Sequence, residues 1–292
     1  MSKTRILYVS QAIQPFLPES DISRAARQIP QGIHERGREI RVFMPRFGVI
    51  NERRHQLHEV IRLSGMNLNI NDTDHPLIIK VASIPTARMQ VYFIDNEHYF
   101  KKKVTWLDAK DKLVGDNDER AIFFARGVLE TVRKLSWAPD IIHCHGWMAS
   151  LVPLYLKELF KDDAHFENTK IVTSLYDEGF DGTLNGSLHE KISFDGIGAE
   201  AVESIQIPTF DALNAMAIRH SDALIAGSEE LTGETAALFQ SSDLPKMPHA
   251  EASLGAAEVA NFYDTILEGK EVAVEEEICF LFVWNSAPST IG

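Results

Sequence analysis

The residues with the most chemistry per unit length lie in the run Ile141-Ile142-His143-Cys144-His145-Gly146-Trp147. Imidazoles can move protons, a thiolate can attack an electrophile, and the three side chains of His143, Cys144 and His145 can in principle ligate zinc. The zinc reading is weak, because strand geometry scatters the three side chains and no fourth ligand is spaced to complete a site. A cysteine nucleophile needs a base partner that the sequence does not identify, so Cys144 reads as a core residue. His143 and His145 alternate at the end of a strand and are read as pointing to opposite faces, one buried and hydrogen-bonded, the other (His145) at the edge of a cleft. Trp147, at a helix start, either packs in the core or stacks on a sugar, and the core reading is preferred.

Other polar clusters carry less. Asp177, Glu178 and Asp181 fall in a Gly/Asp-rich stretch, where a cation or sugar site competes with a solvated loop, and the loop is the better reading. His189, Glu190 and Asp195 are read the same way. Residues 96–116 interleave aromatics with Lys101, Lys102 and Lys103, a pattern used on single-stranded nucleic acid. Asp108, Asp111 and Asp116 follow closely, so a surface loop with one or two anchoring aromatics is favoured.

Composition narrows the classes. The 292 residues suffice for one large domain or two small ones, with 45% hydrophobic and 24% charged residues. A net charge of −13 argues against nonspecific binding to nucleic acid or to an anionic membrane, both of which call for a basic face. Two distant cysteines, Cys144 and Cys279, point to a reduced, cytoplasmic setting. The start MSKTRILYVSQ turns polar too soon for a signal peptide, and no apolar run reaches membrane-spanning length.

These groups must be positioned by parallel strands and helices. Residues 6–9 form a short apolar run, the composition of a buried strand. Beyond a loop with Pro15 and Pro18, apolar residues recur at Ile22, Ala25, Ala26, Ile29 and Ile33, the spacing of one dry helix face. Arg36 and Gly37 close that helix, and residues 40–44 make a second strand ending at Pro45. Further strands are expected at 75–81, 89–95, 141–145, 170–174 and 222–226. Further helices are expected after Asn117-Asp118, after Trp147, over 210–220, over 229–239 and over 252–267. The acidic stretch 271–277 precedes an apolar run, 278–284, that suits an edge strand or a groove cap.

The order of these residues resembles the glycogen and starch synthases, retaining glycosyltransferases that use ADP-glucose. The resemblance rests on ILYVS, on IPQGIHERGREIRVFMPRF, on Asp116-Asn117-Asp118-Glu119-Arg120, and on Pro139, Asp140, His143, His145, Trp147, Pro153, Tyr155 and Leu156. It covers residues 4–240. It implies an α/β fold, a Rossmann-like doubly wound and mostly parallel sheet, the N-terminal half of a GT-B architecture. Residues 1–240 would form that domain, with 241–292 an extension packed on it.

Chemistry residues depart from the family pattern. Aligned without gaps, Pro18 stands where the family has the lysine of Lys-x-Gly-Gly-Leu, and Ser20-Asp21 replace the glycine pair. Gly146 and Met148 replace an Asp and a His, and Tyr176-Asp177 stand where the family has His-Asn. Ser228 matches the serine that opens the last helices of the domain. The resemblance therefore assigns Ser20, Asp21, His145, Trp147, Tyr176, Asp177 and Ser228 to ligand contact, names no catalytic residue, and implies no cofactor and no metal. The partners it implies are ADP-glucose or an α-glucan, and a separate polypeptide carrying the diphosphate-binding domain. Two functions follow: glucosyl transfer that this polypeptide does not complete by itself, or non-catalytic binding of glucan or protein in the regulation of glycogen metabolism.

Overall fold

The computed structural model describes residues 3–250 and 255–269. In chain order the elements are β1 (Arg5–Ser10), α1 (Asp21–Glu35), β2 (Glu39–Pro45), α2 (Glu52–His55), β3 (His58–Glu59), β4 (Met66–Ile70), β5 (Thr73–Ile84), β6 (Met89–Asp95) and α3 (Glu97–Phe100). There follow α4 (Asn117–Lys134), β7 (Ile141–His145), α5 (Leu151–Glu158), β8 (Lys170–Leu175), α6 (Leu188–Phe194), α7 (Phe210–Arg219), β9 (Ala223–Ala226), α8 (Gly233–Ser241), β10 (Lys246–Met247) and α9 (Gly255–Glu268). The acidic stretch 271–277 and the apolar run at 278–284 lie outside the described residues, as does the start of the helix expected from 252.

The strands run in the order β10-β9-β8-β7-β1-β2-β6-β5-β3, with β4 paired to β5. Every pairing from β10 to β6 is parallel, whereas β5 pairs antiparallel with β6, β3 and β4. The fold is thus α/β with a mostly parallel sheet. β1 and β7 are neighbours at its centre, and all five residues of β7 are buried. Two-sided burial explains why these strands read as continuous apolar runs instead of alternating ones.

Strand alternation separates the two helical layers. Tyr263 of α9 reaches His143, whereas Cys144, pointing the other way, shares a cavity wall with Phe210 and Asn214 of α7. α1 packs with α9, and α4 and α7 both pack with α5, so one layer is α1–α9 and the other α4–α5–α7. Two charge clusters fasten α6 to the second layer. Lys191 donates to Asp118 and Glu119 of α4, and Asp195 accepts from Arg126 and Tyr155. Asp195, read from sequence as a solvated loop residue, is instead an anchor whose side chain is 7% exposed.

α1 begins in a capping box: Ser20 Oγ accepts from Ser23 N, and Ser23 Oγ accepts from Ser20 N. The helix passes through Pro30 and ends before Gly37, as its apolar period predicts. It packs tightly on α9 at Gly32, where an added Cβ would lie 2.3 Å from the Cβ of Ala256. Arg38, in the turn between α1 and β2, also holds α9, donating to Asp264 Oδ2 at 2.6 Å.

In an exposed helix, Gly→Ala stabilises by up to about 1 kcal/mol. At position 32 the sign should reverse: Gly32→Ala is expected to destabilise by about 1–3 kcal/mol, the usual cost of overpacking. Adding Ala256→Gly should recover most of that loss, as read by urea unfolding of the single and double variants.

Candidate ligand-binding end of the sheet

In an open parallel sheet, ligands bind beyond the carboxyl ends of the strands. Here that edge is formed by Ser10, His145, Leu175 and Ala226 with the loops that follow them. The four strands bring together Asp21 at the start of α1, Trp147 after β7, Tyr176 after β8 and Gly227-Ser228 after β9. Asp21, Tyr176 and Gly227 line one cavity, and Trp147, Tyr176 and Glu178 line a second. Asp177 lines neither of these two cavities: exposed, it accepts from both the backbone N–H and the hydroxyl of Thr232.

The two histidines correct the expectation drawn from sequence. Side chains two residues apart on a strand share a face, and the rings of His143 and His145 lie on one side with centroids 4.0 Å apart. Both are fully buried, so His145 does not edge a cleft. His143 Nδ1 pairs with Tyr263 Oη at 2.6 Å and its Nε2 with Ser174 Oγ at 2.7 Å. His145 Nδ1 pairs with Tyr176 Oη at 2.7 Å, and Tyr263 donates onward to Tyr8 Oη at 3.3 Å. Both nitrogens of His143 are thereby taken, and Cys144 points to the opposite face, which leaves the trio no common metal position. Burial pushes the Cys144 thiol pKa upward, which makes it a poor nucleophile.

Burial also disfavours the imidazolium. It holds His143 well below the usual histidine value and His145 at about 3. Both rings are neutral hydrogen-bonding groups that fix Tyr176, Tyr263 and Ser174.

The loop after β1 contributes Gln11, a residue that no spacing or motif marks in advance. Its N–H donates to His145 O, and its Oε1 accepts from Met148 N at 3.2 Å. Gly146 sits against it at φ +81°, and a Cβ there would come within 2.5 Å of Gln11 Cδ. The aspartate of the family pattern would require both a strained backbone and displacement of Gln11.

The start of α1 is closed from within. Ser23 N is capped by Ser20 Oγ, and Ile22 N donates to Glu178 Oε1 at 2.9 Å. Arg24, the nearest cation on the helix, is paired with Glu19 and Asp21. Glu178, grouped by sequence with a solvated loop, is therefore a second cap reaching across from the end of β8. Trp147 is 1% exposed and meets Phe180 edge-on at 5.0 Å between ring centroids, and Phe180 meets Phe210 at 5.9 Å. Above these rings an open cleft of about 750 Å³ is bordered by Lys112, Asp177, Phe180, Asp181, Thr183 and Phe210.

Residues 5–247 match the family model of the starch synthase catalytic domain. The chain belongs to that family. It is 39% identical over 191 residues to a glycogen synthase of Chlorobium limicola, an alignment covering 64% of this chain and 39% of the relative. It is 34% identical over 249 residues to the glycogen synthase of Chlorobium phaeovibrioides, covering 82% of this chain and 50% of the relative. Among solved structures it is similar to the catalytic domain of starch synthase IV from Arabidopsis thaliana bound to ADP and acarbose. That match has a TM-score of 0.66 and 16% identity, and covers 90% of this chain and 50% of the other. The chain thus spans half or less of the length of these proteins. No helix among the described residues is long and apolar enough to cross a membrane.

A buried neutral histidine makes stability depend on pH with a definite sign. Between about pH 6.5 and the depressed folded value, the unfolded chain binds more protons, so stability falls as pH falls. Each such histidine approaches a slope of about 1.4 kcal/mol per pH unit. Urea unfolding at pH 7 and pH 5 should show this loss, and His145→Gln should have the shallower dependence.

Proposed function

We propose that this chain is a glycogen/starch-synthase-type lobe that binds α-glucan and does not by itself transfer glucose from ADP-glucose. The observation that carries this reading is the hydrogen bond from Ile22 N to the Glu178 carboxylate at the start of α1. A helix N-terminus is an anion site when its N–H groups are free and the backbone can approach the ligand. In the family pattern a glycine pair allows that approach. Here Ser20 and Asp21 stand in its place, and Ser20 and Glu178 supply oxygens to the N–H groups of Ser23 and Ile22. A diphosphate arriving there would meet two carboxylates of its own sign. Each would oppose it by about 4 kcal/mol at 4 Å and an effective dielectric of about 20.

The cleft over Phe180 and Phe210 supports glucan as the ligand. Both rings are half-buried, so part of each remains open to stack on a sugar face. Asp177, Asp181 and Thr183 border the same space with hydrogen-bonding groups suited to hydroxyls.

Purified chain incubated with radiolabelled ADP-glucose and glycogen is expected to incorporate no label above background, and ADP-glucose to give no binding heat. Its migration should be retarded in a native gel containing glycogen, and less so for Phe180→Ala. Incorporation by the purified chain would overturn the proposal. Incorporation only on addition of cell extract would favour the other reading, in which a separate polypeptide supplies the diphosphate-binding domain. Independently, Glu178→Ala should destabilise the fold by about 0.5–2 kcal/mol, the size of a lost helix cap, measured by urea unfolding.

A further inference from the structure

Three buried polar atoms on the α7 side of the sheet have no hydrogen-bond partner: Trp147 Nε1, Ser150 Oγ and Asn214 Nδ2. Their residues are 1%, 3% and 6% exposed, so bulk water does not serve them. Leaving such groups unpaired forfeits their hydration without return, and three close together would be a severe defect. They are close together, since Trp147, Ser150 and Asn214 line the same enclosed cavity between the end of β7, the end of β8 and α7. The cavity leaves about 10 Å³ for the centre of a water-sized sphere, which is close to what one bound water needs. The neighbouring hydroxyls are already committed, Thr173 Oγ1 to Ser221 and Ser174 Oγ to His143.

We propose that this cavity is a binding site for one water molecule, which joins Trp147, Ser150 and Asn214. The donor set selects the occupant. The indole and amide nitrogens only donate, while the serine hydroxyl both donates and accepts. A cation finds two donors turned against it, and an anion shares the cavity wall with Glu178. A water accepts from Trp147 and Asn214 and donates a hydrogen bond to Ser150 Oγ, within the three or so bonds that buried waters make. The bridge links the turn after β7 to α7, beneath the ladder Trp147–Phe180–Phe210. It thereby fixes the two aromatic rings that floor the open cleft, and it stands whether or not that cleft takes glucan.

The test is proton NMR on the nitrogen-15-labelled full chain, with the Trp147 indole signal assigned by its absence in Trp147→Phe. Wild type is expected to show a cross-relaxation peak between Trp147 Hε1 and water, with the sign of a long-lived bound molecule, and Asn214→Leu is expected to lose it. A wild-type indole proton silent to water overturns the proposal, as does a peak unchanged in Asn214→Leu, which would make the Ser150 hydroxyl its source. Should Asn214→Leu not fold, a crystal structure of the unaltered chain decides. One isolated density peak within about 3.2 Å of all three side chains supports the site. A dry cavity, or an Asn214 amide turned to bond Trp147 directly, overturns it.

Discussion

The central strands β1 and β7 are closed to water on both faces, so polar groups placed there depend on partners within the protein, and of the ring nitrogens of His143 and His145 only His145 Nε2 lacks one. That constraint governs the carboxyl end of the sheet. His143 and His145 occupy it as neutral rings, each bonded to hydroxyls from other elements: Ser174 from β8, Tyr176 just beyond it, and Tyr263 from α9. An imidazolium in that position would forfeit its hydration without gaining a counter-charge. The histidines therefore act as connectors between layers. α9, the last described helix, is held to the central sheet through one of them and to the α1 layer by Arg38 and the close approach at Gly32.

The same demand shapes the start of α1. In a glycine-rich loop, the free N–H groups of a helix wait for a ligand anion. In this chain they are met by Ser20 and Glu178, and the positive end of the helix dipole is neutralised by groups that are always present. The change at Gly146 belongs with this one. With no side chain at Gly146, Gln11 occupies the space and caps Met148 N. Substitutions that look from the sequence like losses are accompanied by hydrogen bonds that stabilise the altered loops.

Much of the fold was legible because it depends on local period. The short apolar run of β1, the i, i+3, i+4 spacing of α1 and the stop at Gly37 each follow from neighbouring residues alone. Where the reading went astray, one error was geometric: His143 and His145, two apart on a strand, share a face. Other misreadings came from polarity. Glu178 and Asp195 lie in stretches rich in Gly, Asp and Ser, which normally mark solvated loops, yet one caps α1 and the other takes hydrogen bonds from Arg126 and Tyr155.

By itself, then, the sequence determined the alternation of strands and helices, the family, and which family residues had been replaced. Only the tertiary structure decided what the replacements do. The bond from Ile22 to Glu178 spans 156 residues and that from His143 to Tyr263 spans 120. Periodicity reports which face of an element is dry, but it cannot report which distant side chain will satisfy a donor there. That choice is made when the layers close and water leaves, because a buried N–H or imidazole then bonds to whatever the packing has brought within 3 Å or so.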